Sequence, residues 1–327
     1  MPAGEFELID RYFTRRGAQR EDVLRGVGDD GALIAAPAGG TLVFALDTIV
    51  EGGHFPAGFD ARFVGHRALA VNLSDLAAMG AEPRAVLLSL ALPGGMPVEA
   101  FEAMLDGFLR QAHAHRAALL GGNVTSTPGP LVINVTAIGT VRPRRALTRA
   151  GARPGDELYV TGAVGDAATG LAMLRAAAAG TTAESVCVTR YLRPEARVRA
   201  GLQLSHHGAA SSCVDLSDGL ADGLRQLARA SGVGVEVETA SLPISDESRA
   251  WHAAAGRDPE ATALGGGDDY ELLFTVRPRH RGRLRGARRR IGDLPITRIG
   301  VVTRGPGLVV RDASGGRELP HGFEHFR

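Results

Sequence analysis

Lysine is absent from this 327-residue sequence, so all 37 side chains counted as Lys or Arg are arginine. A Walker-type phosphate loop needs its lysine and Schiff-base catalysis needs a lysine amine, so both are excluded. Cysteine is nearly absent, with only Cys187 and Cys213. Two are too few for a disulfide framework, and neither stands in a metal-ligand spacing; they read as structural thiols of a reducing cytosol. No apolar run approaches the ~18 residues a membrane span requires. Met1-Pro2-Ala3-Gly4-Glu5 carries no apolar signal region, and a cytoplasmic protein without a membrane partner is expected. Excess charge of one sign is missing too. The net charge of +1 removes any bulk electrostatic case for nucleic acid.

What is present suits a soluble globular protein with room for two domains: 44% hydrophobic and 22% charged residues. Residues 5–16 have the helical spacing Phe6, Ile9, Phe13, and a Gly-Asp-Asp turn follows at 28–30. Residues 41–46 read as a buried strand ending on Asp47, and 61–79 and 97–116 as helices. A short apolar stretch at 117–120 leads to a turn at Gly121-Gly122-Asn123, and strand 131–141 closes the first unit. The Arg/Pro-rich stretch 142–155 marks the boundary, which divides the chain into 1–145 and 146–327. The second unit reads as strand 157–161, helix 166–179, strand 212–216, helix 219–231 and strand 271–276. Strands alternate with helices in both halves, which favours an α/β or α+β layered fold with mixed sheets and flanking helices. Residues 277–290 contain eight arginines. Without interleaved aromatics they read as a solvated helix before strand 296–302 rather than a nucleic-acid patch.

The chemistry lies in aspartates placed at strand ends, turns and one helix. They are Asp29 and Asp30 in GVGDD, Asp47 in FALDT, Asp75 in AVNLSDLAAMG, Asp215 and Asp218 in CVDLSDG, and Asp268 and Asp269 in GGGDDYELLF. Each follows or interrupts an apolar segment, where a lone carboxylate is costly. Singly, each has an ordinary use; Asp218, for instance, suits a helix cap near Gly219. If several converge, each pair about 4 Å apart repels by roughly 1 kcal/mol in water and about 4 at an effective dielectric of 20. Such a cluster needs cations. Oxygen-only ligation favours magnesium or calcium, and magnesium usually arrives with substrate phosphates. The Gly121-Gly122-Asn123 turn and the helix opened by Asp215-Leu-Ser-Asp-Gly219 would present backbone N–H groups to phosphate. Arg149 offers either a bidentate phosphate contact or a surface ion pair. His54, seven residues after Asp47 and preceded by two glycines, fits either a substrate-phosphate contact or a structural histidine.

In this order, GEFELIDRYF, GVGDDGALI, LDTIVEGGHF, AVNLSDLAAMGA, GGNVTSTPGPLVI, ALTRAGARPGDELYVTG, CVDLSDGLADGL, LGGGDDYELLFTV, ITRIG and the terminal GFEHF resemble the thiamine-monophosphate kinase family along essentially the whole chain. The resemblance implies the two-domain aminoimidazole ribonucleotide synthetase-like fold, with N-terminal domains pairing across a homodimer. It implies ATP-dependent conversion of thiamine monophosphate to thiamine diphosphate. By matched position, Asp30, Asp47, Asp75, Asn123, Asp215 and Asp218 would be magnesium ligands. Gly122, Asn123, Arg149 and Ser217 would contact the nucleotide, and His54, Asp268 and Phe323 the thiamine phosphate substrate.

The sequence departs from the family at four places. Asn123 stands where Asp is usual, which keeps an oxygen but removes a charge. Ala45 and Leu46 replace a hydroxyl pair before Asp47, Asp268 replaces Glu, and Phe323 is an aromatic variant. The acceptor would be a phosphate oxygen that needs no strong base, so direct in-line transfer with metal assistance and no catalytic side chain is expected. Four other readings are weighed. Aminoimidazole ribonucleotide synthetase is the strongest enzymatic rival; selenophosphate synthetase and the hydrogenase-maturation protein each lack their cysteine here. A nucleotide-binding regulator without turnover is the non-enzymatic reading.

Overall fold

Asp60 starts the first long helix, Ala61–Ala78, by accepting the Arg62 backbone N–H on its carboxylate at 2.9 Å. Gly80 ends it at φ +65°, with its N–H on the Ala77 carbonyl and that of Ala81 on Leu76. The computed structural model describes residues 11–13, 19–25, 33–35, 38–176, 185–312 and 315–319. The chain folds as two units, Met1–Leu76 with Ala81–Arg144, and Ala77–Gly80 with Arg145–Arg327.

The N-terminal unit holds a four-stranded mixed sheet in the order Thr41–Val50, Val132–Val141, Glu82–Pro93, Ala118–Thr127. The first two pairings are antiparallel. The last is parallel, and helix Val98–Ala114 makes its crossover. A Cβ on Gly65 would lie 1.7 Å from the Met104 carbonyl oxygen, and one on Gly107 2.1 Å from that of Arg62. The two helices therefore touch backbone to backbone, at positions only glycine can fill. Along Thr41–Val50 the alternation sends Val43 and Ile49 into the core and leaves Leu42, Phe44 and Leu46 exposed on the opposite face, Phe44 at 64%.

The C-terminal unit is built on seven strands ordered Gly315–Glu318, Leu308–Asp312, Gly234–Glu238, Ile296–Thr303, Glu157–Thr161, Leu272–Val276, Ser212–Asp215. Every pairing is antiparallel except Leu308–Asp312 with Gly234–Glu238. Strands Glu157–Thr161 and Leu272–Val276 are buried at every position, so both faces of the sheet are covered there. On one face Leu158, Val160, Val214 and Leu273 pack with Leu220, Leu224 and Leu227 of helix Leu220–Ser231. On the other, Tyr159 stacks on Phe274 at 5.7 Å, and Arg288 of helix Arg281–Ile291 lies over the Tyr159 ring. That helix buries Leu284, Ala287 and Ile291 and turns its arginines outward, as expected for a solvated helix. Arg281 is fastened by two hydrogen bonds to Glu157, whose carboxyl this arginine holds below the usual range.

Several sequence expectations change. Asp47 lies inside strand Thr41–Val50 rather than at its end, because the strand runs three residues further. Gly121-Gly122-Asn123 makes no turn; strand Ala118–Thr127 passes through it, and a register shift opposite Val86 and Leu87 absorbs the irregularity. Asp218 does not cap the next helix: Gly219 occupies the cap position without a side-chain bond. The helix expected at 5–16 and the turn at 28–30 fall largely outside the described residues, as do Asp29, Asp30 and Phe323.

Candidate active site

In the N-terminal unit, strand register and helix phase bring two of the expected carboxylates together. Asp47 projects to the helix side of the sheet, where its backbone N–H donates to Asn72 Oδ1 at 3.1 Å. Asn72 is anchored in turn by its amide on the Ala68 carbonyl, 3.1 Å away. Asp75, three residues further along the helix, lies beside the Asp47 carboxyl and interacts with it. Burial raises the Asp47 pKa, opposed by that interaction and by the nearby His54 ring. His54 sits in the turn after the strand and accepts the Val50 N–H on Nδ1 at 3.1 Å, which leaves the proton of the neutral ring on Nε2.

Gly122 belongs to the sheet row of Asp47, through Val135 and Leu88, whereas Asn123 falls in the neighbouring row with Ser89, Asn134 and Thr48. A Cβ on Gly122 would meet the Leu88 carbonyl oxygen at 1.7 Å, so the backbone requires glycine there. Asn123 is exposed, and its row is not that of the Asp47–Asp75 pair.

In the C-terminal unit two loops interlock. Asp215 is buried as the last residue of its strand, and Ser217 and Asp218, both half-buried, turn the chain into helix Leu220–Ser231. The 265–271 loop lies against that turn: the Asp268 N–H donates to the Ser217 carbonyl at 2.7 Å and the Tyr270 N–H to Leu216 at 2.9 Å. A Cβ on Gly267 would sit 2.7 Å from the Ser217 carbonyl oxygen, and one on Gly219 2.7 Å from that of Gly266. The close approach of these two backbones explains the glycines of both motifs. Asp268 and Tyr270 take positive φ, +69° and +50°, a region costing an L-residue about 1–2 kcal/mol. The Tyr270 hydroxyl donates to Asp268 Oδ1 at 3.1 Å. Arg149 is exposed, and its backbone carbonyl accepts the Ser231 hydroxyl at 3.2 Å.

Other acidic residues of these motifs support the frame. Asp269 accepts the Gly165 and Ala167 N–H groups at 2.6 and 3.2 Å, capping helix Asp166–Ala176, and burial pushes its pKa well up against those bonds. Glu271 is buried against Arg197 Nε at 2.7 Å and the Thr161 hydroxyl at 2.6 Å. Sequence reasoning missed Asn72, Tyr270 and the Arg197–Glu271 pair. Asn72 alone carried a signal, standing three residues before Asp75 where both fall on one helix face.

The donor set suits a hard cation. Asp47 and Asp75 offer only oxygen, and burial disfavours the charge of the Asp47 carboxyl, a cost that a bound cation offsets. Among the described residues no group of three or more His, Cys, Asp or Glu surrounds one point. Magnesium, which takes one or two carboxylates and completes its shell with waters and substrate phosphates, fits that arrangement; a metal needing an all-protein cage does not.

Residues 28–141 match the AIR synthase related protein, N-terminal domain, and residues 153–313 the AIR synthase related protein, C-terminal domain. The chain is 41% identical over 333 aligned residues to thiamine-monophosphate kinase of Escherichia coli (strain K12), covering 100% of this chain and 99% of that one. It superposes on the thiamine-monophosphate kinase of Stenotrophomonas maltophilia K279a with a TM-score of 0.82 and 42% identity, over 89% of this chain and 92% of that one. On AaThiL complexed with AMPPCP and TMP the TM-score is 0.80 at 32% identity, with 92% of each chain covered.

Proposed function

The chain belongs to the thiamine-monophosphate kinases of the AIR synthase related family, and from that membership we propose how its own residues carry the reaction. It is a kinase that transfers the terminal phosphate of ATP to thiamine monophosphate, giving thiamine diphosphate and ADP. The observation that carries this assignment is the full-length match to relatives of that activity, joined to the likeness to a structure holding an ATP analogue and TMP.

The acceptor oxygen of a phosphate monoester is already anionic at neutral pH, so no side chain has to remove a proton. What remains is alignment and charge neutralisation. Asp47 and Asp75 would hold magnesium in the N-terminal unit, and Asp215 and Asp218 in the C-terminal unit; the family resemblance adds Asp30, which lies outside the described residues. When bound, magnesium neutralises phosphate charge and orders donor and acceptor oxygens for in-line attack. Asn72 holds the Asp47 backbone in place. His54, with Nδ1 taken by Val50, presents Nε2–H as a donor for the substrate phosphate. Gly122, Asn123, Ser217 and Arg149 contact the nucleotide. Arg149, exposed in the structure, has the planar guanidinium that suits a bidentate phosphate contact. Asp268 and Phe323 serve the acceptor. Asn123 in place of Asp leaves one fewer anionic ligand, which supports fewer or weaker magnesium sites than the full acidic set would give.

The open sheet face bearing Leu42, Phe44 and Leu46 supports a homodimer formed through the N-terminal unit, because an exposed apolar strip on an edge strand is costly to leave in water. Cys187 and Cys213, both buried and not paired with each other, suit the reducing compartment expected of a cytoplasmic enzyme. No helix among the described residues is long and apolar enough to cross a membrane. The route of transfer is tested with ATP labelled in its terminal phosphate. Direct transfer places the label in thiamine diphosphate at the rate ADP appears, with none retained on protein; labelled protein formed and discharged at a competent rate would replace this mechanism with a phosphoenzyme one.

A further inference from the structure

Left-handed backbone at Asp268 is ordinary for an aspartate, but at Tyr270 it is not, since bulky aromatic side chains avoid that region. The loop has glycine at 265, 266 and 267 and yet keeps a tyrosine at 270. The other described non-glycine residues with positive φ, Arg116 and Arg144, are exposed, whereas Tyr270 is buried to 7% exposure.

Each residue of this segment is fixed. Asp268 N–H is held by Ser217, the Asp269 carboxyl by Gly165 and Ala167, Tyr270 N–H by Leu216, and Glu271 by Thr161 and Arg197. Strain is retained where its surroundings over-determine it and where it serves a site. Its product here is the Tyr270 hydroxyl on Asp268 Oδ1 at 3.1 Å, which sets the plane and direction of that carboxylate.

We propose that Tyr270 is a positioning residue that aims the Asp268 carboxylate at the positively charged or N–H-bearing part of the acceptor, not at its phosphate. A carboxylate repels an anionic phosphate and attracts a thiazolium ring or an amino group. A short Asp side chain has the reach for this only if its direction is set in advance, and the strained tyrosine sets it. The inference rests on the kinase reading above and deepens its substrate site.

The test compares KM for thiamine monophosphate, KM for ATP and kcat in the unsubstituted protein, Y270F, D268N and the double variant. Y270F is expected to raise KM for thiamine monophosphate about tenfold, with KM for ATP and kcat moving less than about threefold. The double variant is expected to be no worse than D268N, because both changes remove one unit. A role confined to packing would instead lower thermal stability and leave the KM values together. Unchanged KM for thiamine monophosphate in Y270F, an equal rise for ATP, or multiplying effects in the double variant would overturn the proposal. If Y270F fails to fold, D268N decides: no selective rise in KM for thiamine monophosphate overturns it. An unsubstituted protein that makes no thiamine diphosphate sinks the kinase reading and this inference with it, while an active one with a normal Y270F sinks the inference alone.

Discussion

Asp47, on an edge strand, lies beside Asp75 of helix Ala61–Ala78, and its own backbone N–H is held by Asn72 of that helix. Burial raises the Asp47 pKa, and a carboxyl whose folded pKa exceeds its unfolded one binds more protons when folded. Its contribution to stability is therefore present at low pH and is lost as pH climbs through the raised folded value. Metal-free protein should melt at lower temperature as pH rises through that window, and magnesium should restore the loss. Thermal melts in chelator and in magnesium, across mildly acidic to neutral pH, check this; a magnesium effect independent of pH contradicts it. Calorimetry in buffers of different ionisation enthalpy should show proton release on binding.

Replacing Asp47 or Asp215 with Asn keeps the shape of each side chain and removes its charge. If each position is worth about 3 kcal/mol in the transition state, turnover falls at least ~100-fold. Asp47→Asn also removes a charge that burial disfavours, so its metal-free melting temperature should not drop. Near-normal rates in both variants would remove these aspartates from the metal roles.

Asp269 is the structural counterpart of its neighbour Asp268. Asp269→Ala leaves the Gly165 and Ala167 N–H groups buried without a partner, at a cost of about 1–3 kcal/mol. In a unit of this size that corresponds to roughly 2–10 °C in melting temperature. The protein that remains folded should retain its substrate KM values, and a selective KM change would mean that Asp269 touches substrate.

Phe44→Asp places a charge in the centre of the exposed Leu42–Phe44–Leu46 strip. Light scattering after size exclusion should report a shift from dimer toward monomer at micromolar concentration. A monomeric unsubstituted protein would contradict the homodimer, and a dimer indifferent to the charge would move the interface elsewhere.

Leu-Ser-Asp occurs twice, at 73–75 and 216–218, and shows what the sequence could and could not convey. The first copy lies inside a helix, and the second turns a strand into a helix. The flanking residues disclose that difference: apolar spacing continues past Asp75, whereas Gly219 stops the pattern after Asp218. The main elements were legible by periodicity for the same reason, including helix Ala61–Ala78, strand Val132–Val141 and the arginine-rich helix. Gly121-Gly122 was misread because a glycine pair looks like a turn from sequence alone. Its cause is tertiary: the Leu88 carbonyl approaches to where a side chain would begin. Strand Glu82–Pro93 went unread because apolar residues such as Leu87 and Ala91 fill its half-buried positions as well as its buried ones, in the middle of its sheet, which blurs the period-two pattern. The aspartates themselves were visible as costly residues in apolar surroundings. The division of labour among them was not, because whether a carboxylate caps a helix, as Asp269 does, or meets another carboxylate, as Asp47 does, depends on backbone brought from elsewhere in the chain.

Incubating the purified protein with ATP, magnesium and thiamine monophosphate, and resolving the products by chromatography, tests the assignment most directly. The account predicts thiamine diphosphate and ADP in equal amounts, both dependent on magnesium and on the acceptor. ADP released with a formylglycinamidine ribonucleotide but not with thiamine monophosphate, or nucleotide bound without turnover, would contradict it.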